Sequence, residues 1–176
     1  MNEKRKSYKL RVREIRMKKN VIFSKDNEYY TPKDFVYRFG RFVYDPATTK
    51  EKAAEFGVEY YDTIETDGLK ADWTKYKRIW INPPFTQKHE FLKKAVETFE
   101  KTKADIYILF PVEFLTTKRF HSILGQWGGV IYLPNGRIKF QSGLGKKASS
   151  PAFGSCVLKL MDISTIIIER IDLENG

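Results

Sequence analysis

One cysteine, two histidines and no long apolar run set the first limits on this chain. Cys156 has no second thiol for an internal disulfide, and one cysteine with two histidines falls short of a zinc set, so no metal is expected. No stretch approaches the roughly 20 apolar residues of a membrane span. The N-terminus is basic but lacks the apolar segment of a signal peptide. These absences predict a reducing, cytoplasmic setting with no membrane partner.

What is present suits one globular domain: 176 residues, 41% hydrophobic and 31% charged. The net charge is +10, and it is unevenly placed. Residues 1–25 carry ten Lys/Arg against Glu3 and Glu14, a net +8. The sequence therefore divides into a basic arm, 1–25, and a single domain, 26–176. Such an arm can neutralise phosphates and release their counterions, or it can be a solvated tail.

The rest of the chain alternates helix and strand patterns. "YYTPKDFVYRFG" predicts a short helix capped by Thr31, with Pro32 at its first position and Gly40 at its stop. "RFVYDP" predicts a strand and "TTKEKAAEFG" a helix ending at Gly57. Further strands are expected at "VEYYD" (58–62), "KRIWIN" (77–82), "DIYILFP" (105–111), "GGVIYLP", "GSCVLKLM" and "STIIIERID". Between them, "KHEFLKKAVETFEK" sets Phe91, Leu92, Ala95, Val96 and Phe99 on one stripe, and 114–124 predicts another helix. This order predicts an α/β fold: a mostly parallel twisted sheet, helices on both faces, and an antiparallel edge strand. Ligands of such sheets bind at the carboxyl ends of strands, where "DPATT" and "NPPF" fall.

"NPPF" (82–85) has a distinctive chemistry. Asn82 offers a side-chain carbonyl acceptor, and Pro83 a backbone carbonyl without an N–H. Pro83 and Pro84 stiffen the loop, and Phe85 supplies a flat apolar ring. A planar heterocycle with an exocyclic amine matches this set, its ring on Phe85 and its amine donating to Asn82 and Pro83. Two acceptors on one amine localise the nitrogen lone pair and make it nucleophilic. A strand-ending turn is the plain alternative.

Taken together, "YYTP", "DPA", "TDGL" with the following Trp73, "WINPPF", "LFP" and "LPNGRIKF" resemble, in order and spacing over residues 29–160, the phage-type, Dam-like DNA adenine-N6 methyltransferases. The resemblance implies a Rossmann-like class I fold with S-adenosylmethionine as methyl donor. It gives Asn82, Pro83, Pro84 and Phe85 to the target adenine. Asp45, Pro46 and Ala47 would line the methionine and sulfonium region, and Tyr30, Thr31 and Pro32 would close over the methionine. Asp67, Gly68 and Leu69 would meet the donor's adenine. Asp62 would serve its ribose, with Tyr61 and Glu59 as alternatives. The expected activity is site-specific methylation of the N6 amine of an adenine flipped out of double-stranded DNA, in the host cytoplasm if the chain is phage-encoded.

Two features depart from the wider methyltransferase pattern. "DPATTKEK" has no glycine where many methyltransferases carry a Gly-rich loop, although a DP-x-A form is expected in the phage-type group. Only 37 positions separate Asp45 from Asn82, which leaves no room there for a separate target-recognition domain. Recognition then falls to the arm and to the loop 135–154, through Arg137, Lys139, Lys146 and Lys147. Lys118 and His121 read as ordinary helix-surface residues. Two other readings stand beside this one: a methyltransferase of the same fold acting on RNA, on cytosine's exocyclic amine or on a protein amide, and a non-catalytic nucleic-acid-binding module.

Overall fold

The computed structural model describes residues 29–142 and 153–173. The basic arm, Lys146 and Lys147 lie outside the described residues.

The strands are β1 (Tyr29–Tyr30), β2 (Tyr44–Asp45), β3 (Tyr60–Tyr61), β4 (Arg78–Ile81), β5 (Asp105–Pro111), β6 (Gly128–Pro134), β7 (Gln141–Ser142), β8 (Ser155–Met161) and β9 (Ile166–Ile171). The helices are α1 (Lys33–Tyr37), α2 (Lys50–Phe56), α3 (Lys88–Thr102) and α4 (Lys118–Leu124), with 3-10 turns at Trp73–Lys75 and Val112–Thr116. Seven strands form one sheet in the order β3-β2-β4-β5-β8-β6-β9.

The apolar run of β5 is buried on both faces, as its unbroken hydrophobicity requires. Ile106, Ile108 and Phe110 pack with Phe91, Leu92, Ala95 and Phe99 of α3 and Phe120 of α4. Their alternates Tyr107 and Leu109 pack with Trp80, with Phe35 and Val36 of α1, and with Ala53 and Phe56 of α2. Each such side chain removed from water contributes roughly 1.5–3 kcal/mol. Helices therefore cover both faces, and the predicted stripe of α3 is the buried one.

The antiparallel strand, however, is interior rather than at the edge. β2 pairs in parallel with β3 and β4, and β4 with β5. β8 then enters antiparallel between β5 and β6, while the outermost strand, β9, runs parallel to β6. A strand has two edges, and those of β8 are taken by β5 and β6. The short link 162–165 must therefore carry the chain past β6 to its far side.

Local expectations differ in three places. Pro32, in extended conformation at φ −62° and ψ 139°, is the N-cap of α1 rather than its first helical residue, and no side chain caps that helix. The Pro32 carbonyl opens it by accepting from Phe35 and Val36, while Thr31, held extended by the proline after it, turns its hydroxyl inward. The helix expected over 114–124 is two pieces, broken where Thr117 is extended and caps α4 by accepting from the Phe120 N–H. Finally, β1 pairs antiparallel with β7, tying residues 29–30 to 141–142.

Candidate active site

Parallel pairing brings the carboxyl ends of β2, β3 and β4 to one edge, with Asp45 level with Tyr61. A small cleft of about 20 Å³ opens there, lined by Tyr30, Thr31, Asp45, Ala47, Thr48, Lys52, Phe56, Trp80 and Asn82. Three segments distant in sequence thus meet, and Asn82 shares a wall with four of the residues assigned above to the donor.

Asp45 is 2% exposed, and its Oδ1 accepts from the Ala47 N–H at 3.0 Å. Burial pushes its carboxyl up to about 7, partly offset by that hydrogen bond. Asp62 is fixed through its main chain: its N–H donates to the Asp45 carbonyl at 3.0 Å, and its carbonyl accepts from Thr48 at 3.1 Å. Its Oδ2 accepts from the buried Tyr44 hydroxyl at 2.5 Å. Desolvation and the Asp62 carboxylate raise the Tyr44 phenol well above the ordinary tyrosine range. That hydroxyl therefore stays a donor and orients Asp62.

The turn 67–69 docks on this assembly from outside the cleft. Asp67 takes a left-handed conformation at φ 59°, and its Oδ1 accepts from the Leu69 N–H at 3.2 Å. Its hydrogen bond with Lys70 lowers its carboxyl. The Gly68 carbonyl accepts from Trp73 Nε1 at 2.7 Å, and the Leu69 carbonyl from Lys94 Nζ at 2.6 Å. Leu69 lines a second, wider groove with Asp72, Trp73 and Lys94. Pro32, Pro46, Asp62, Asp67 and Gly68 do not line the cleft around Asn82, although Gly68 abuts Pro46.

In the NPPF segment, Pro83 is buried, Pro84 exposed and Phe85 half-buried. The Pro84 carbonyl accepts from Gln87 at 2.9 Å and the Phe85 carbonyl from Lys88 Nζ at 2.8 Å, which anchors the loop to the start of α3. The Phe85 ring is not bare: Phe153 stands edge-on to it, at 4.9 Å between centroids and 83° between planes. A residue just beyond the 135–152 connection is thus brought to the loop.

Arg137 and Lys139 are exposed, while Ile138 and Phe140 between them are 4% and 3% exposed. This alternation pins the segment to the sheet and turns both cations outward. Lys118 and His121 are exposed on α4, as helix-surface residues. Among the described residues, no group of three or more metal-ligating side chains converges and no helix is long and apolar enough to cross a membrane.

A profile of the family described as "DNA N-6-adenine-methyltransferase (Dam)" matches residues 22–171. The chain belongs to this family. A protein of Escherichia phage T1 named "DNA N-6-adenine-methyltransferase" is 29% identical over 140 residues, which is 72% of this chain and 57% of the relative. The chain thus spans little more than half the length of that curated relative.

Sequence reasoning missed Trp80, Lys52 and Phe153. Trp80 reads as one more core residue of an apolar strand, yet its Nε1–H, like the Thr31 hydroxyl, is buried without a hydrogen-bond partner among the described residues. Only coordinates carry that signal.

Proposed function

We propose that the protein methylates the N6 amine of an adenine flipped out of double-stranded DNA, using S-adenosylmethionine and a Rossmann-like class I fold. The observation that carries this reading is the shared cleft. Asn82, at the end of β4, lies with Asp45 and Ala47 of the β2 loop and Tyr30 and Thr31 before α1. Family membership supports the reaction class, and insertion of antiparallel β8 among otherwise parallel neighbours supports the fold assignment.

The residues present fit the donor. The cleft contains a buried carboxylate and two unpartnered buried polar atoms, so it suits a polar ligand. Its enclosed space, about 20 Å³, is far below the roughly 300–1,000 Å³ of pockets that enclose a whole ligand. Only one end of an elongated donor would enter it, the nucleoside lying outside towards Asp62 and the 67–69 turn. When bound, the donor supplies an electrophilic methyl on a sulfonium.

The chain's own groups do the rest. Asn82 Oδ1 and the Pro83 carbonyl accept from the target amine and localise its lone pair on nitrogen. Phe85, backed by Phe153, supports the extruded ring. Held by Asn82 and Pro83, the amine nitrogen would receive that methyl in line, the sulfonium leaving as a neutral thioether, and would then shed a proton to solvent. Arg137 and Lys139 grip phosphates and offset the few kcal/mol of unstacking.

The test is incubation of the full chain with tritiated donor and a sequenced plasmid, followed by mapping of modified bases. Label on adenines in one sequence context is expected. Label absent from DNA, or found only on cytosine, would refute the reading.

A further inference from the structure

Lys88 stands where a cation is electrostatically disfavoured. It is the first residue of α3, at the positive end of the helix dipole. The acids of the helix nearest to it and to Lys94, Glu90 and Glu97, pair instead with Arg119 and Lys93, both at 3.8 Å. The two lysines meet main-chain carbonyls. Lys88 Nζ donates to the Phe85 carbonyl at 2.8 Å and lies 5.6 Å from the Phe114 ring centroid. Lys94 Nζ donates to the Leu69 carbonyl at 2.6 Å and lies 5.4 Å from the Trp73 ring centroid. Burial pulls both ammonium groups below the usual lysine range, against the nearby carboxylates Glu90 and Asp72.

The carbonyls so held belong to two different site loops. Phe85 closes the NPPF segment, and Leu69 closes the 67–69 turn. The helix between them is fixed, with Phe91, Leu92, Ala95, Val96 and Phe99 in the core. Six residues separate the lysines, about 9 Å along the axis, so one rigid element reaches both loops. With the Pro84 carbonyl taken by the Gln87 N–H at 2.9 Å, two carbonyls of the NPPF loop are turned towards the helix. The stiff prolines pass that orientation back to Pro83. We infer that Lys88 and Lys94 are positioning residues: Lys88 aims the NPPF acceptors at the target amine, and Lys94 holds the 67–69 turn at the donor's nucleoside. This deepens the function proposed above and rests on it.

The inference predicts that the two lysines govern different halves of the kinetics, a split that general loosening of α3 would not produce. Lys88→Met keeps the apolar stem and removes the ammonium. Relief at the helix dipole offsets the lost hydrogen bond, so its Tm should stay within about 2 °C of wild type. Single-turnover methyl transfer to duplex DNA, at saturating donor and DNA, should slow about tenfold or more, since a misplacement of about 1 Å costs on the order of 10²-fold. Its affinities for S-adenosylhomocysteine and for duplex should remain within about twofold. Lys94→Met should do the opposite. S-adenosylhomocysteine should bind about tenfold more weakly, the cost of a hydrogen bond to a charged group, while the saturated rate stays within about twofold. Calorimetry and rapid-quench assays on the full chain measure these quantities. Glutamine, too short to reach either carbonyl, replaces methionine at a position where methionine does not fold. Equal losses of rate and donor affinity in both variants, or none in either, would overturn the positioning roles. So would a Lys88→Met defect confined to duplex affinity, the mark of a phosphate contact. Each of these leaves the methyltransferase reading intact, whereas a wild type that transfers no methyl group to DNA would overturn both.

Discussion

Gly68 lies against Pro46 so closely that a Cβ on it would stand 2.0 Å from the Pro46 carbonyl oxygen. This contact joins two loops that the sequence separates by a helix and a strand, and it sets the distance between the β2 loop and the 67–69 turn. A methyl group there has no flexible neighbour to displace, because the obstruction is backbone. Gly68→Ala should therefore push the turn outward. The expected cost is that of overpacking, about 1–3 kcal/mol, or a fall in Tm of roughly 2–4 °C per kcal/mol at this chain length. Thermal melts, with and without S-adenosylhomocysteine, check this. The ligand-induced gain in Tm should also shrink if, as proposed, the turn meets the donor's nucleoside.

Asp45 gives a pH dependence whose sign is opposite to the usual one for an acid. Its carboxyl rises from 3.8 to about 7 in the folded chain, so between those values the folded state holds a proton that the unfolded state has lost. Stability from this group therefore falls as pH rises from about 4 to about 7, and is flat above. The full effect is on the order of 4 kcal/mol at about 1.4 kcal/mol per unit. Asp45→Asn keeps an acceptor for the Ala47 N–H and cannot ionise. Its stability relative to wild type should climb through that window and level off at pH 8. Denaturant midpoints at half-unit steps measure it, and a difference that does not vary with pH would contradict the buried-acid assignment.

Much of this arrangement is readable in the chain, and what is not has a physical reason. The strands 105–111 and 128–134 are found at their predicted limits because a continuous apolar run ended by proline leaves little choice of boundary. The strands expected over 41–46 and 58–62 shrink to two ladder residues each. Their length is set by how far neighbouring strands run, which no local pattern encodes. The position of β8 between β5 and β6 is likewise a question of which edges remain open. Asn82, Asp45 and Thr31 were legible as residue types at strand and helix ends. Phe153 was not, because its meeting with Phe85 comes through a connection with no pattern of its own, nor was Trp80, because a strand pattern reports the burial of a ring and says nothing of its N–H.

Lys139 should act on DNA alone. It is exposed beside buried Ile138, so Lys139→Ala should leave the Tm within about 1 °C and the affinity for S-adenosylhomocysteine unchanged, as surface substitutions do. Duplex binding should weaken, and the slope of log K against log salt should become shallower by about 0.9 for each phosphate contact removed. Ile138→Ala should do the reverse, costing about 2–5 kcal/mol of stability as a core truncation. Binding isotherms at several salt concentrations separate the two.

Asn82 is proposed to localise the lone pair of a target amine. The most direct measurement is the single-turnover rate of tritium transfer from S-adenosylmethionine to duplex DNA by Asn82→Ala. Its folding is to be confirmed by melting, and its duplex affinity measured in parallel. Removal of one preorganised polar group at a reacting centre costs roughly 10²–10³ in rate, and a loss of at least that size, with duplex affinity retained, is the predicted result. A rate within about tenfold of wild type would contradict the account.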